Sequence, residues 1–142
     1  MEDVVISSAV RTPMGGFQGD LDSFSASELG GKAIQDAMEM AGITRVDEVI
    51  MGNVLGAGQG QAPARQASFA AGLDKTVPAT TLNKMCGSGM KAAMIGFDQI
   101  KLGKSQTLAV GGMESMSNAP YLLPKMRSGA RLGCWHFYIK FL

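Results

Sequence analysis

At 142 residues, 46% hydrophobic and 18% charged, the sequence has the length and apolar content of one globular domain with a real core, not those of a disordered chain. A net charge of +1 with scattered Lys and Arg excludes a basic footprint for nucleic acid or an anionic membrane. No apolar run reaches the roughly 18 residues of a membrane span. Two cysteines and one histidine at no recognisable ligand spacing exclude a structural zinc site. The cysteines have unlike surroundings and make no disulfide framework, so a reducing, cytoplasmic setting is expected. Met1-Glu2-Asp3-Val4-Val5 enters an apolar run at once and reads as leaving no room for a signal or transit peptide.

In chain order, Val4 to Val10 reads as a first, buried strand, closed by Pro13, Gly15 and Gly16. Ser25-Ala26-Ser27-Glu28 is a capping box. It opens a helix with an apolar face of Leu29, Ala33, Ala37 and Ala41, flanked by Ile34 and Met38, and Gly42 stops it. Val46 to Val54 is the second strand, followed by Gly56-Ala57-Gly58-Gln59-Gly60. A dinucleotide fingerprint would need glycine at position 61, which is Gln, and an acid near position 80, which is Thr. These glycines therefore read as loop geometry. Pro63 suits the first turn of a second helix and Gly72 its end.

Val77 to Leu82 is the third strand. It runs into Leu82-Asn83-Lys84-Met85-Cys86-Gly87-Ser88-Gly89-Met90-Lys91-Ala92. Met90, Ala93, Met94 and Phe97 recur at one face of a third helix, which Gly103 ends. Thr107 to Val110 is the fourth strand. From Ser117 the chain reads as loop. Alternating strands and helices predict an α/β layer with a largely parallel sheet. Met38, Met90 and Met94 fall at core-like spacings, whereas Met85 and Met113 are candidates to line a pocket.

The candidate site is Cys86. It falls on a glycine-rich turn at the C-terminal end of a strand, where ligand sites of such sheets lie. Backbone N–H groups and the dipole of the following helix favour negative charge on a sulfur held there. Gly87 and Gly89 lack a Cβ, which lets another molecule approach. Such a sulfur with adjacent N–H donors is what acyl transfer requires. Most cysteines are small buried hydrophobes; the strand–C-G-S-G–helix context points the other way.

N-x-x-C-G-S-G-M-x-A resembles the nucleophile motif of thiolases, the acetyl-CoA acetyltransferases. Ser8-Ala9-Val10-Arg11-Thr12-Pro13, Met51-Gly52-Asn53-Val54, Gly60-Gln61-Ala62-Pro63-Ala64-Arg65-Gln66 and Gly111-Gly112-Met113-Glu114-Ser115-Met116-Ser117 resemble further family blocks, in family order from about Asp3 to Gly133. The resemblance implies a truncated N-terminal half of a thiolase-like layered α/β fold: residues 1–117 an incomplete α/β domain, 118–133 the start of a loop domain, and 134–142 a non-family tail. That tail, Cys134 to Leu142, carries the sole Trp, the sole His and four of the nine aromatics. The family sheet order is taken as 3-2-1-4-5, with a fifth strand, most of the loop domain and a second half missing here, which leaves strand four an open edge.

By the same resemblance, Cys86 attacks the thioester of acyl-CoA and its N–H forms part of an oxyanion hole. Asn83, Gly87, Ser88 and Gly89 support the turn, and Asn83 braces it. Glu114 matches an acid near the site floor, with second-layer and purely structural roles both open. Arg11 and Arg65 are expected in structural ion pairs rather than on CoA. The family's G-H-P histidine, C-x-G cysteine and N-E-A-F asparagine have no counterpart among the 142 residues. Coenzyme A enters as part of the substrate, with no permanently bound cofactor. Family members are homodimers or homotetramers, joined through the third strand and the region after Ser117. The implied reaction is Claisen condensation of acyl-CoA or thiolysis of 3-ketoacyl-CoA, in fatty acid metabolism, with this chain unable to turn over alone. Competing readings are a decarboxylating ketoacyl-synthase-like enzyme and a non-catalytic product that binds full-length thiolase subunits.

Overall fold

The computed structural model describes residues 3–124, 126–128 and 138–139. Helix α1 (Ala26–Ala41), strand β1 (Glu48–Gly52), helix α2 (Pro63–Ala70), strand β2 (Ala79–Leu82), helix α3 (Ser88–Lys101) and strand β3 (Leu108–Gly112) follow one another along the chain. β1 lies in the middle of a parallel sheet of order β2-β1-β3. Val49 pairs with Ala79 on one side and Ala109 on the other. The α/β architecture is the one the alternating pattern predicts.

After Glu48, β1 is buried on both faces, which is why Val49-Ile50-Met51 reads as an apolar run. Val49 and Met51 join Ile34, Val46, Ala64, Ala67, Val77 and Met113 in the main core, beneath α1 and α2. Ile50 and Gly52 face the other way, toward α3. The result is three layers, with α1 and α2 on one side of the sheet and α3 on the other.

The end signals work as read. Ser25 caps α1 and forms the full capping box with Glu28, and its N–H and hydroxyl hold the Glu28 carboxyl below the ordinary carboxylate range. Gly42 takes the left-handed conformation at φ +64, and the N–H of Ile43 returns to the Met38 carbonyl at 2.9 Å. Pro63 begins α2, whose first turn also receives help from β2: the Ala64 N–H donates to Thr81 Oγ1 at 2.9 Å.

Three expectations are overturned. Residues 3–16 form no strand, and Val5 and Ile6 are 74% and 86% exposed. A strand exists only by pairing, and among the described residues no sheet strand bonds to 4–10. The sheet order also differs from 3-2-1-4-5: the stretch read as strand two lies directly against the one read as strand four, in register over five residues.

The third correction concerns which helix faces are buried. α3 exists as predicted, but it buries Ser88, Ala92 and Gly96 and leaves Met90, Met94 and Phe97 74%, 54% and 49% exposed. The small residues win because the helix lies close on the sheet. A Cβ at Gly96 would stand 2.8 Å from Val110 Cγ1, so no Met or Phe fits between them. α1 likewise turns Ala26, Ser27, Gly30, Gly31 and Ile34 inward, since a Cβ at Gly31 would meet Ala70 Cβ at 2.5 Å. The expected stripe of Leu29, Ala33, Ala37 and Ala41 is only half-buried.

Beyond β3 the chain makes a short 3-10 turn at Met116–Asn118. The short strand β4 (Tyr121–Leu122) then pairs antiparallel with β5 (Tyr138–Ile139). Cys134 and His136, with most of the 134–142 stretch, lie outside the described residues.

Candidate active site

β2 ends at Leu82 and α3 begins at Ser88, so the chain reverses within Asn83 to Gly87. Cys86 is exposed one residue before the helix N-cap, Gly87. Such a sharp turn forces one residue into an unusual conformation, and Met85 takes it at φ +52. Two side chains hold that strain in place. Asn83 Oδ1 accepts the Met85 N–H at 3.0 Å, an Asx turn. Ser88 Oγ accepts the Lys84 N–H at 2.8 Å and donates to the Met85 carbonyl at 2.6 Å. Both flanks of Cys86 are therefore tied, while the sulfur itself faces outward. No side chain caps α3, which leaves its positive end without an internal counter-charge.

Ser88 is 4% exposed, deeper than a motif serine beside a reactive cysteine suggests. Its place depends on Gly52, where a Cβ would lie 2.5 Å from Ser88 Cβ and 2.6 Å from the Ser88 carbonyl carbon. Gly89 lies beside β3: a Cβ there would meet the Gly112 backbone at 3.4 Å, an ordinary contact distance. Gly87 fits the expected open approach better: a Cβ there would meet only the Lys84 carbonyl oxygen, at 3.5 Å.

Behind the turn lies a polar network. Glu114, half-buried just past β3, accepts three hydrogen bonds from the chain that leaves β1. Oε1 takes the Asn53 Nδ2 at 2.8 Å and the Leu55 N–H at 3.0 Å, and Oε2 takes the Val54 N–H at 3.0 Å. Asn53 is 4% exposed; its amide also donates to the Met113 carbonyl, and its Oδ1 accepts from Gln59. Gln59 Nε2 donates as well to the Leu55 carbonyl at 2.7 Å. The Gly56–Gly60 stretch is thus a pinned loop, as its missing fingerprint suggested. Asn53 and Gln59 were not singled out from sequence. The clue available for Asn53 was its polarity directly after the apolar residues Val49-Ile50-Met51.

The other candidates separate from the turn. Arg65 is structural but forms no ion pair: its guanidinium donates to the Lys75 and Val77 carbonyls at 2.8 and 3.3 Å and stacks 4.7 Å from the Phe69 ring. The one ion pair among the described residues is Lys32–Asp36, and Arg11 is exposed. Met113 belongs to the core at 7% exposed, and Met85 is 49% exposed. A recess of about 310 Å³ lies at the start of α1, lined by Ser25, Glu28, Gln59 and Asn118 among others, and no residue of the Cys86 turn borders it.

A model of the thiolase N-terminal domain matches residues 4–138. The chain belongs to the thiolase family. It is 51% identical over 135 residues to an acetyl-CoA acetyltransferase of Pseudomonas aeruginosa, covering 94% of this chain and 34% of that protein. A mitochondrial acetyl-CoA acetyltransferase of Xenopus tropicalis is 54% identical over 127 residues, with 88% and 30% covered. A cytosolic acetyl-CoA acetyltransferase of Gibberella zeae is 53% identical over 132 residues. Among solved structures, Acat5 thiolase from Ascaris suum in complex with coenzyme A superposes with a TM-score of 0.85 at 42% identity, covering 87% of this chain and 33% of that one. The chain thus spans about a third of the length of the thiolases it matches. No helix among the described residues is long and apolar enough to cross a membrane.

Proposed function

We propose that Cys86 is the acyl-accepting nucleophile of a thiolase-type acyltransferase acting on acyl-CoA. The observation that carries this reading is an exposed thiol on a strained strand-to-helix turn, tied on both flanks by Asn83 and Ser88. In the first half-reaction Sγ attacks the thioester carbonyl carbon. The carbon–sulfur bond to CoA breaks, the acyl group stays on Cys86, and the CoA thiol leaves with the proton from the cysteine. The Cys86 N–H is the donor proposed for the oxyanion formed on the way, since the N–H groups of Gly87 and Ser88 are already given to the Lys84 and Met85 carbonyls at 3.1 Å. Gly87 keeps that approach open. Coenzyme A takes part as the thiol of the substrate and not as a resident cofactor.

The second half-reaction needs an acid/base group to move the substrate proton, and such help is worth roughly 10²–10⁴-fold per participant. The G-H-P, C-x-G and N-E-A-F motifs that supply it in the family are absent from the 142 residues. This chain is therefore proposed to accept an acyl group without turning over. Intact-mass spectrometry after brief incubation with acetyl-CoA tests it: a stoichiometric acetyl adduct that Cys86→Ala abolishes is expected. Absence of that adduct from a folded chain overturns the reading.

β2 favours a second, compatible role. Among the described residues it is an edge strand with one side unpaired, the side through which thiolase subunits are expected to pair. A chain that binds an intact thiolase subunit there would co-purify with it, and pairing would be lost on replacing Ala79, whose N–H faces away from β1, by proline. The proposed setting is cytoplasmic, from two cysteines of unlike surroundings, and the proposed context of fatty acid metabolism follows from the acyl-CoA substrate.

A further inference from the structure

The geometry points to Glu114 as a positioning residue for Cys86, acting through the Val54 peptide and the Asn83 side chain. This rests on the reading of Cys86 as the nucleophile. The carboxylate holds the Val54 N–H at 3.0 Å. On the other side of the same residue, the Val54 carbonyl accepts Asn83 Nδ2 at 3.4 Å. Asn83 Oδ1 in turn holds the Met85 N–H, next to Cys86. The path from Glu114 to the strained turn therefore runs through one residue, Val54, and one amide side chain, and the Leu55 N–H, also held by Glu114 at 3.0 Å, belongs to the same peptide unit as the Val54 carbonyl. A second tie, from the Asn53 N–H to the Leu82 carbonyl at 3.0 Å, fixes the two segments at the base of that path. Hydrogen bonds to an ionised acceptor are the stronger kind, and three of them from consecutive residues fix where the Val54 carbonyl points. If it turned, Asn83 would lose its anchor. The amide would then be free to rotate off Met85, and the turn would lose one of its two braces.

The test compares Glu114→Gln, Asn83→Ala and the double variant in the full chain. The probe is iodoacetamide, a small neutral reagent that alkylates Cys86 without any binding pocket. Glu114→Gln keeps the shape but sets an NH₂ against an N–H donor. It is expected to slow alkylation about two- to fivefold, the range that a helix N-terminus gives an anion at a partly exposed site. Hydrogen exchange at the Met85 amide is expected to speed up, with the melting temperature little changed. Asn83→Ala should do the same, and the double variant should be no slower than Asn83→Ala alone. Multiplicative effects in the double variant, or unchanged Met85 exchange in Glu114→Gln, overturn the proposal. A chain that never accepts acetyl from acetyl-CoA, but shows the non-additive alkylation pattern, sinks the catalytic reading and leaves the positioning role standing. If Glu114→Gln does not fold, Val54→Pro, which removes the same N–H donor, carries the identical expectations.

Discussion

Asn83 and Met85 are tied to each other within the turn: the side chain of one accepts the backbone N–H of the other at 3.0 Å, across a residue pair that holds Met85 at φ +52. A left-handed conformation costs a non-glycine residue about 1–2 kcal/mol. Glycine avoids that cost but loses roughly 0.5–1 kcal/mol in chain entropy. Met85→Gly is therefore expected to be neutral to stabilising by up to about 1 kcal/mol, and Met85→Val destabilising by about 1–3 kcal/mol. Denaturant melts of the two variants decide it; equal losses would show that the turn does not impose the dihedral.

Gly52 and Gly87 separate the glycines that shape the site from the one that leaves it open. A methyl at 52 strikes the Ser88 backbone at 2.6 Å, whereas a methyl at 87 meets nothing nearer than 3.5 Å. Gly52→Ala is expected to cost about 1–3 kcal/mol, because a backbone must move. Gly87→Ala should stay within about 0.5 kcal/mol yet slow acylation of Cys86. Equal melting midpoints for the two would refute the close approach of α3 to β1.

Met90 and Met94 bear on solubility. Both sit on the outer face of α3, so replacing them with Glu and Lys removes no core contact and adds an i,i+4 pair worth about 0.3 kcal/mol. The double variant is expected to melt within about 0.5 kcal/mol of the parent and to show weaker concentration-dependent light scattering. A loss above about 1 kcal/mol would mean that this stripe is covered by the chain itself.

Asp47 sets a pH dependence. The N–H groups of Thr107 and Gln106 donate to its carboxylate at 3.0 and 2.7 Å and hold its pKa below the ordinary range. A lowered folded value means that the stabilisation is complete above the unfolded pKa of about 3.9. It is lost as pH falls through the folded value. Asp47→Ala should thus melt below the parent at pH 7, and the gap should narrow as pH falls below about 4. A gap that stays constant with pH would assign the effect to something other than this carboxylate. Since Asp47 is exposed, solvent keeps the difference small.

Sequence pattern located the elements better than it oriented them. Ser25, Gly42, Pro63 and Gly72 mark helix ends through local backbone chemistry, and local chemistry is visible in a string of residues. Which face of a helix is buried depends on how closely it approaches its neighbour. In α3 that was decided by Gly96 and Ala92 against β3, while the larger Met90, Met94 and Phe97 misled the periodicity. The Val4–Val10 run has strand composition, yet composition supplies no hydrogen-bonding partner. At the site, Cys86 and Asn83 were legible because the turn is short and contiguous. The Asn53–Glu114 bond joins residues 61 apart, and no spacing rule announces it.

The contact between Gly52 and Ser88 ties the turn to a distant strand. No change at 88 clears space for a side chain at 52, because the Ser88 carbonyl carbon and the Gly89 nitrogen would still lie 2.6 and 2.8 Å from its Cβ. Glycine at 88 would in addition delete the hydroxyl that grips Lys84 and Met85. A side chain at 52 is therefore admitted only by moving the start of α3, and with it the turn that places the sulfur of Cys86.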